Sequence, residues 1–232
     1  MKTIGMIGGM SWESTVPYYR EANELVKRRL GGLHSARIAL CSVDFHDIEL
    51  LQASGRWDEA GEALARAARS VEAAGADFLV LCTNTMHKVA PAIEAAVSIP
   101  LLHIADATAA AVKAAGVRRV GLLGTRFTME QDFYRGRLEE RHGLEVLVPR
   151  DEDRGLVHRV IYEELCIGLV SEESRERFRE VIRRLVARGA EGVILGCTEI
   201  AMLVSPPDSP VPVFDTTRIH AAAAVDLALD GT

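Results

Sequence analysis

The run Gly75-Ala-Asp-Phe-Leu-Val-Leu-Cys82-Thr83-Asn84-Thr85-Met-His87 sets a short apolar stretch between a glycine and a cluster of small polar residues. An apolar run of that length after a glycine reads as a buried strand of a parallel sheet. Cys-Thr-Asn-Thr beyond it reads as a strand-to-helix turn, whose backbone N–H groups suit an anion. The same design returns in Gly189-Ala-Glu-Gly-Val-Ile-Leu-Gly196-Cys197-Thr198-Glu199, with one more residue between its glycine and its cysteine. Two cysteine turns of one design ask for one explanation.

Working outward, Ile4-Gly-Met-Ile-Gly8-Gly9-Met10-Ser11 is a strand entering a Gly-rich turn, followed by a helix over 15–30 that Gly31 stops. Its glycines run G-x-x-G-G, which is not the dinucleotide fingerprint. A strand over 36–43 leads into Asp44 and the segment to Gln52, just past a strand end, where open α/β sheets bind ligands. A helix over 58–74 carries Ala60, Leu64, Ala67 and Val71 on one face. Beyond Cys82 the pattern predicts a helical segment over 87–96, a short strand ending in His103 to Asp106, and a helix over 107–115.

At Arg119 the pattern restarts: Val120-Gly121-Leu-Leu-Gly124-Thr125 echoes Ile4-Gly5-Met-Ile-Gly8-Gly9. From Gly5 to Cys82 is 77 positions and from Gly121 to Cys197 is 76, the arithmetic of a duplicated unit. The second half predicts a helix over 127–142, a strand over 144–149, a helix over 157–166 and an amphipathic helix through Phe178 and Val186. Val211-Pro-Val-Phe-Asp215 then echoes Ile99-Pro-Leu-Leu-His103. The expectation is an α/β protein of two pseudo-symmetric lobes with mostly parallel sheets flanked by helices, the active site lying in the cleft between them. The first lobe is expected over 1–98 plus about 211–232, and the second over 99–210.

Composition narrows the function. The chain has 232 residues, 48% of them hydrophobic, and a formal net charge of −6 from 27 basic and 33 acidic residues. No basic face is concentrated enough for nucleic acid, and no apolar run reaches the roughly 18 residues of a membrane span. The N-terminus lacks a signal-peptide core, so a cytoplasmic location is expected. The four cysteines lie outside any C-x-x-C pair, which speaks for thiols and against a disulfide framework or a metal site.

Matched thiols on facing lobes suit proton removal from one face of a carbon and return to the other. Both cysteines stand at the start of predicted helices, a position that lowers a thiol's pKa. The N–H groups of Thr83, Asn84 and Thr85, with the hydroxyls of Thr125, Thr128 and Thr198, could hold a carboxylate and stabilise the carbanion beside it. A racemase or epimerase with Cys82 and Cys197 as its acid/base pair follows. The same residues have plainer readings: Thr125 and Thr128 as helix caps, Met10 as packing, Gln52 as a solvated helix residue, and His87 and His103 as structural histidines.

Gly8-Gly9-Met10-Ser11, Cys82-Thr83-Asn84-Thr85, Gly124-Thr125 and Gly196-Cys197-Thr198-Glu199 resemble the aspartate/glutamate racemase family. The resemblance implies an enzyme without a cofactor, a small amino acid as substrate and a homodimer. Met10 and Glu199 stand where glutamate racemases typically carry an acid and a histidine, which points to the aspartate-racemase side. Trp12-Glu-Ser-Thr15 and the stretch Thr125 to Tyr134 most resemble the broad-specificity amino-acid racemases. By that resemblance Met10 and Ser11 line the first turn, and Gln52 contacts the substrate side chain where aspartate-specific relatives use a cation. Replacing a charge-assisted pair in this way forfeits about 1.5–3 kcal/mol, so neutral side chains are expected to be accepted. Glu199 either tunes Cys197 or merely begins a helix, where acids are favoured. The competing expectations are a decarboxylase or cis–trans isomerase of the same superfamily, or a non-catalytic amino-acid-binding protein.

Overall fold

The computed structural model describes residues 1–230 and divides into two units. Unit one, Met1–Ile104 with the segment from His220, runs through β1 (Ile4–Gly8), α1 (Trp12–Leu30), β2 (Ile38–Ser42), α2 (Phe45–Ala53), α3 (Trp57–Ala73), β3 (Phe78–Leu81), α4 (Ala90–Glu94) and β4 (Leu101–Leu102). Unit two, Ala105–Ile219, follows with α5 (Ile104–Ala114), β5 (Arg119–Gly124), α6 (Arg126–Glu130), β6 (Glu145–Leu147), α7 (Asp151–Glu163), α8 (Glu172–Ala187), β7 (Gly192–Gly196), α9 (Ile200–Leu203) and β8 (Val213–Asp215). Helix α10 (Thr216–Leu229) starts in unit two and continues into unit one.

Each unit holds one four-stranded sheet, ordered β2-β1-β3-β4 and β6-β5-β7-β8, with every pair parallel. The two orders are one pattern, as a duplication requires. The likeness extends to detail. Thr3 donates its N–H to the Asp77 carboxylate and Arg119 donates its N–H to the Glu191 carboxylate, so both central strand pairs begin with the same tie. A Cβ on Gly5 would stand 2.4 Å from Val71 of α3, and one on Gly121 would stand 2.9 Å from Leu185 of α8. Both glycines are therefore slots that let a long amphipathic helix press against its sheet.

Alternation along the strands sorts the core of unit one into two layers. Ile7, Leu79 and Leu81 meet Leu64, Ala68 and Val71 of α3 on one face. Ile4, Met6, Phe78, Val80 and Cys82 meet Tyr18 and Val26 of α1 and Ala224 and Val225 of α10 on the other. In unit two, α7 and α8 both pack on β5, burying Val157, Val160, Val181 and Leu185.

The chain changes unit after Ile104 and after Ile219, later than the expected boundaries at 98 and about 211, because β4 stays paired with β3 and β8 with β7. Helix α1 starts at Trp12, ahead of the expected start, because Ser11 supplies an N-cap that accepts from the Ser14 N–H. Helix α7 starts at Asp151, where three consecutive acids complement its N-terminal dipole. The helix expected over 127–142 does not form as one piece. Helix α6 ends at Gln131, whose backbone is extended, and the chain turns to bury Tyr134 completely. Packing of a large aromatic outweighs local helix propensity there.

Helix α10 brings His220 into the interior of unit one, where the ring is fully buried. Its Nε2 lies 2.8 Å from the Leu102 carbonyl oxygen, which can only accept, so Nε2 carries the proton and Nδ1 accepts from the Tyr18 hydroxyl at 3.0 Å. Burial holds this histidine down to about 4. The unfolded ring titrates near 6.5, so the stabilisation by the neutral ring is full above about pH 6.5 and is lost as pH falls through about 4. Between pH 7 and pH 4 the native protein should lose roughly 3 kcal/mol more unfolding free energy than His220→Gln, measured by urea titration. Equal losses in the two proteins would contradict the assignment.

Candidate active site

The site begins where the central strands end. At the end of β3 the Cys82 N–H donates to the Ile7 carbonyl at 2.9 Å, so Cys82 still lies in the ladder of the sheet. Its side chain follows Phe78 and Val80 into the apolar layer beneath α1 and α10 and is fully buried. Its thiol lies 3.9 Å from the Val80 carbonyl oxygen. Burial pushes this thiol far up from its ordinary value. The next residue, Thr83, donates its N–H to Leu81 at 2.8 Å, and its carbonyl accepts from His87 Nδ1 at 2.7 Å. The Thr83 N–H is thus taken up within the turn and does not serve as a free anion donor, contrary to the expectation. Asn84 and Thr85 complete the turn, both buried.

In unit two, Gly124 and Gly196 are register partners, so Thr125 and Cys197 leave adjacent strands side by side. A Cβ on Gly196 would stand 2.7 Å from Leu122 Cδ1 and 2.9 Å from the Leu123 carbonyl oxygen, a contact that only glycine avoids. Thr125 caps α6 by accepting from the Thr128 N–H, and the two hydroxyls lie 3.2 Å apart. Cys197 is buried except for 8% of its surface. Its Sγ donates to Glu199 Oε2 at 2.8 Å, and the Thr198 hydroxyl donates to the same oxygen at 2.9 Å. Burial, then the negative charge of Glu199 and the nearby Cys166, push the Cys197 thiol well above its ordinary value. The expected lowering by helix N-termini is absent. Helix α9 starts three positions after Cys197, and Cys82 precedes a 3-10 turn at Thr85–Val89. Single turns set that far off do not offset burial.

The register sets positional equivalence between the two units, and it differs from the match by residue type. Gly5 of β1 stands opposite Leu79 of β3, and its counterpart Gly121 of β5 stands opposite Val193 of β7. Four residues farther along each central strand stand Thr83 and Cys197. Cys82 therefore corresponds to Gly196, and its thiol points into the core just as the missing Cβ of Gly196 would. The trace was present in the spacing: from Gly75 to Thr83 and from Gly189 to Cys197 are both eight positions. The surplus residue noted between the two motifs is this offset, and identical residue type masked it.

The other expected residues divide between the units. Met10 packs in the apolar layer with Ile7 and Ile48, and Ser11 caps α1 while its carbonyl accepts from the Ser14 and Thr15 hydroxyls. Gly9, at φ +90° with the Val43 carbonyl oxygen 2.2 Å from where a Cβ would be, makes this turn possible. Gln52 is buried, not solvated, with Nε2 2.9 Å from Met86 Sδ. Thr85 stays with the turn after β3, and Thr128, Thr198 and Glu199 stay with the turns of unit two. The sequence favours His87 as a structural histidine over a base and marks Tyr18 as a core or interface anchor, but nothing in it points to His220. A run of residues carries no signal for which buried imidazole meets which carbonyl. A cavity of about 800 Å³ in unit two, lined by Pro149, Arg150, Asp153 and Arg188 among others, contains none of the expected site residues. Among the described residues no group of three or more His, Cys, Asp or Glu side chains is arranged to hold a metal ion. No helix among them is long and apolar enough to cross a membrane.

Comparison with known proteins gives a match to the model of the Asp/Glu/Hydantoin racemase family over residues 7–224. The chain is 62% identical to a Yersinia pestis protein whose crystal structure is provisionally described as an Asp/Glu racemase, over 99% of this chain and 100% of that one, with a TM-score of 0.91. It is 37% identical to an aspartate racemase homologue from Pyrococcus horikoshii OT3, over 98% and 99% of the two chains, with a TM-score of 0.84. It is also 23% identical to the broad specificity amino-acid racemase RacX of Bacillus subtilis (strain 168), over 97% of this chain and 98% of that one.

The burial of the four cysteines generates a labelling order. Cys41 and Cys166 are partly exposed, Cys197 retains a small exposed surface and Cys82 has none. Iodoacetamide at pH 7.5, followed by peptide mapping, should modify Cys41 and Cys166 first and Cys197 slowly. Cys82 should react only on unfolding, and early labelling of Cys82 in the folded protein would contradict its placement.

Proposed function

The chain belongs to the Asp/Glu/Hydantoin racemase family, and from that premise we propose that it inverts the α-carbon of an amino acid by proton transfer on opposite faces. Its own side chains supply both transfers. Cys197 works on one face and Thr83 on the other, each at the end of its unit's central strand. The observation that carries this reading is the register equivalence of Thr83 and Cys197. It supports a mirrored acid/base pair of unlike groups in place of two thiols.

Each group has a distinct part. Glu199 accepts the Cys197 proton along the 2.8 Å contact already present, leaving a thiolate. The high thiol pKa makes that thiolate scarce in the empty site but a stronger base once formed. It removes the α-proton, becoming a thiol again, while the C–H electron pair moves into the α-carboxylate. Thr125, Thr128 and Thr198, with the turn at Asn84 and Thr85, hold that carboxylate and the charge that builds on it. The electron pair returns to the α-carbon as the Thr83 hydroxyl donates its proton to the opposite face; Thr83 is then reprotonated from solvent, and Glu199 releases to solvent the proton it took. A hydroxyl is a far weaker acid than a thiol, so its conjugate base is costly to form. Enantiomers are equal in free energy, so kcat/KM is the same for both, and the asymmetry should show as kcat and KM differing together between the two directions.

The substrate is an α-amino acid, and the names of the more similar relatives favour aspartate or glutamate. The name of the broad-specificity relative and the uncharged Gln52 favour acceptance of neutral side chains as well. Initial rates with L- and D-aspartate, glutamate, methionine and homoserine separate the two.

Cys197→Ala should lower racemisation about 10²–10⁴-fold, the usual worth of a positioned acid/base group. Cys82→Ala should keep kcat within about twofold while losing about 1 kcal/mol of stability. Thr83→Ala should abolish net inversion, and Thr83→Cys should bring the kcat values of the two directions closer. Loss of activity in a folded Cys82→Ala, with Thr83→Ala unaffected, would return the acid/base role to Cys82.

A further inference from the structure

Both backbone groups of Thr83 are tied down: its N–H to the Leu81 carbonyl at 2.8 Å and its carbonyl to His87 Nδ1 at 2.7 Å. A carbonyl oxygen has no proton to give, so Nδ1 of His87 carries one. Nε2 of the same ring then accepts from the Ile104 N–H at 3.3 Å. A ring that donates at one nitrogen and accepts at the other is neutral and held in one tautomer. It is 2% exposed, lies against His103 with ring centroids 4.4 Å apart, and approaches His220 at 6.1 Å. Ile104 is the last residue before the chain enters unit two, and His220 is the first after it returns.

We propose that His87 is a positioning residue for inversion: by clamping the Thr83 carbonyl to the start of α5, it sets the direction in which the Thr83 hydroxyl leaves the backbone. This rests on Thr83 acting as the second proton-transfer group. Fixing both peptide groups that flank a Cα fixes its Cα–Cβ bond. Proton transfer is sensitive to such placement, since a shift of about 1 Å can cost on the order of 10²-fold in rate. His220 is the internal comparison. It is as buried as His87 and holds a carbonyl in the same way, but that carbonyl belongs to Leu102, away from the turn.

The experiment runs the native protein, His87→Leu, His87→Gln and His220→Gln in deuterated buffer, starting from the enantiomer that exchanges more readily. It records two rates: α-deuterium appearing in recovered substrate, and inverted product. Exchange needs only Cys197 and its contact with Glu199, whereas inversion also needs Thr83. His87→Leu should raise the ratio of exchange to inversion at least about tenfold. His87→Gln, whose amide keeps one donor and one acceptor, should restore most of it, and His220→Gln should leave it unchanged at whatever cost in stability. Equal loss of both rates in His87→Leu, or an unchanged ratio, would overturn the proposal. A native protein that neither exchanges nor inverts would sink the racemase reading itself. The ring's state gives a test that needs no variant. Nitrogen-15 NMR should find His87 protonated at Nδ1 and His220 at Nε2, and the opposite tautomer at His87 would contradict the clamp.

Discussion

Side chains of a parallel strand alternate between two layers, and the pairing register leaves no freedom to shift that alternation by one. In β3, Phe78 and Val80 belong to the layer of α1 and α10, and Leu79 and Leu81 to the layer of α3. Cys82 continues the first series and is lost to the core. Thr83 is the first residue free of the ladder. The glycines at Gly5 and Gly121 lock this arrangement, because each admits a side chain from the covering helix where a Cβ would collide. Everything at the site follows from which residue the register delivers at the strand's end.

The duplication also shows where the halves have parted. The same position holds a hydroxyl in unit one and a thiol in unit two, and the position before it holds a buried cysteine in one and a tightly packed glycine in the other. Two positions past the matched site, Thr85 stands in unit one and Glu199 in unit two. The second turn thus carries both a thiol and a carboxylate in hydrogen-bond contact, while the first carries a hydroxyl at the matched position.

Much of this was legible in the residues. Glycine punctuation and short apolar runs located the strands and the long amphipathic helices, and the echo of Ile4-Gly5 in Val120-Gly121 revealed the repeat. Residue type pairs Cys82 with Cys197, whereas the distance from the preceding glycine aligns Thr83 with Cys197. The helix over 127–142 failed because burial of Tyr134 is a tertiary demand that periodicity does not carry. The imidazole clamps at His87 and His220 join residues 17 and 118 positions apart, and no local pattern announces such partners. Thiol acidity failed for a related reason. Proximity to a helix start is visible in sequence, but the burial that outweighs it is not.

The central claim is that unlike groups serve the two faces of one α-carbon, and single-turnover stereochemistry in deuterated water tests it most directly. Starting separately from each enantiomer of aspartate, the account predicts that inverted product carries one solvent-derived α-deuteron. It also predicts that, with the site saturated, one bound enantiomer is converted much faster than the other. Inversion that retains the substrate's own α-hydrogen, or equal saturated rates from both hands, would contradict it.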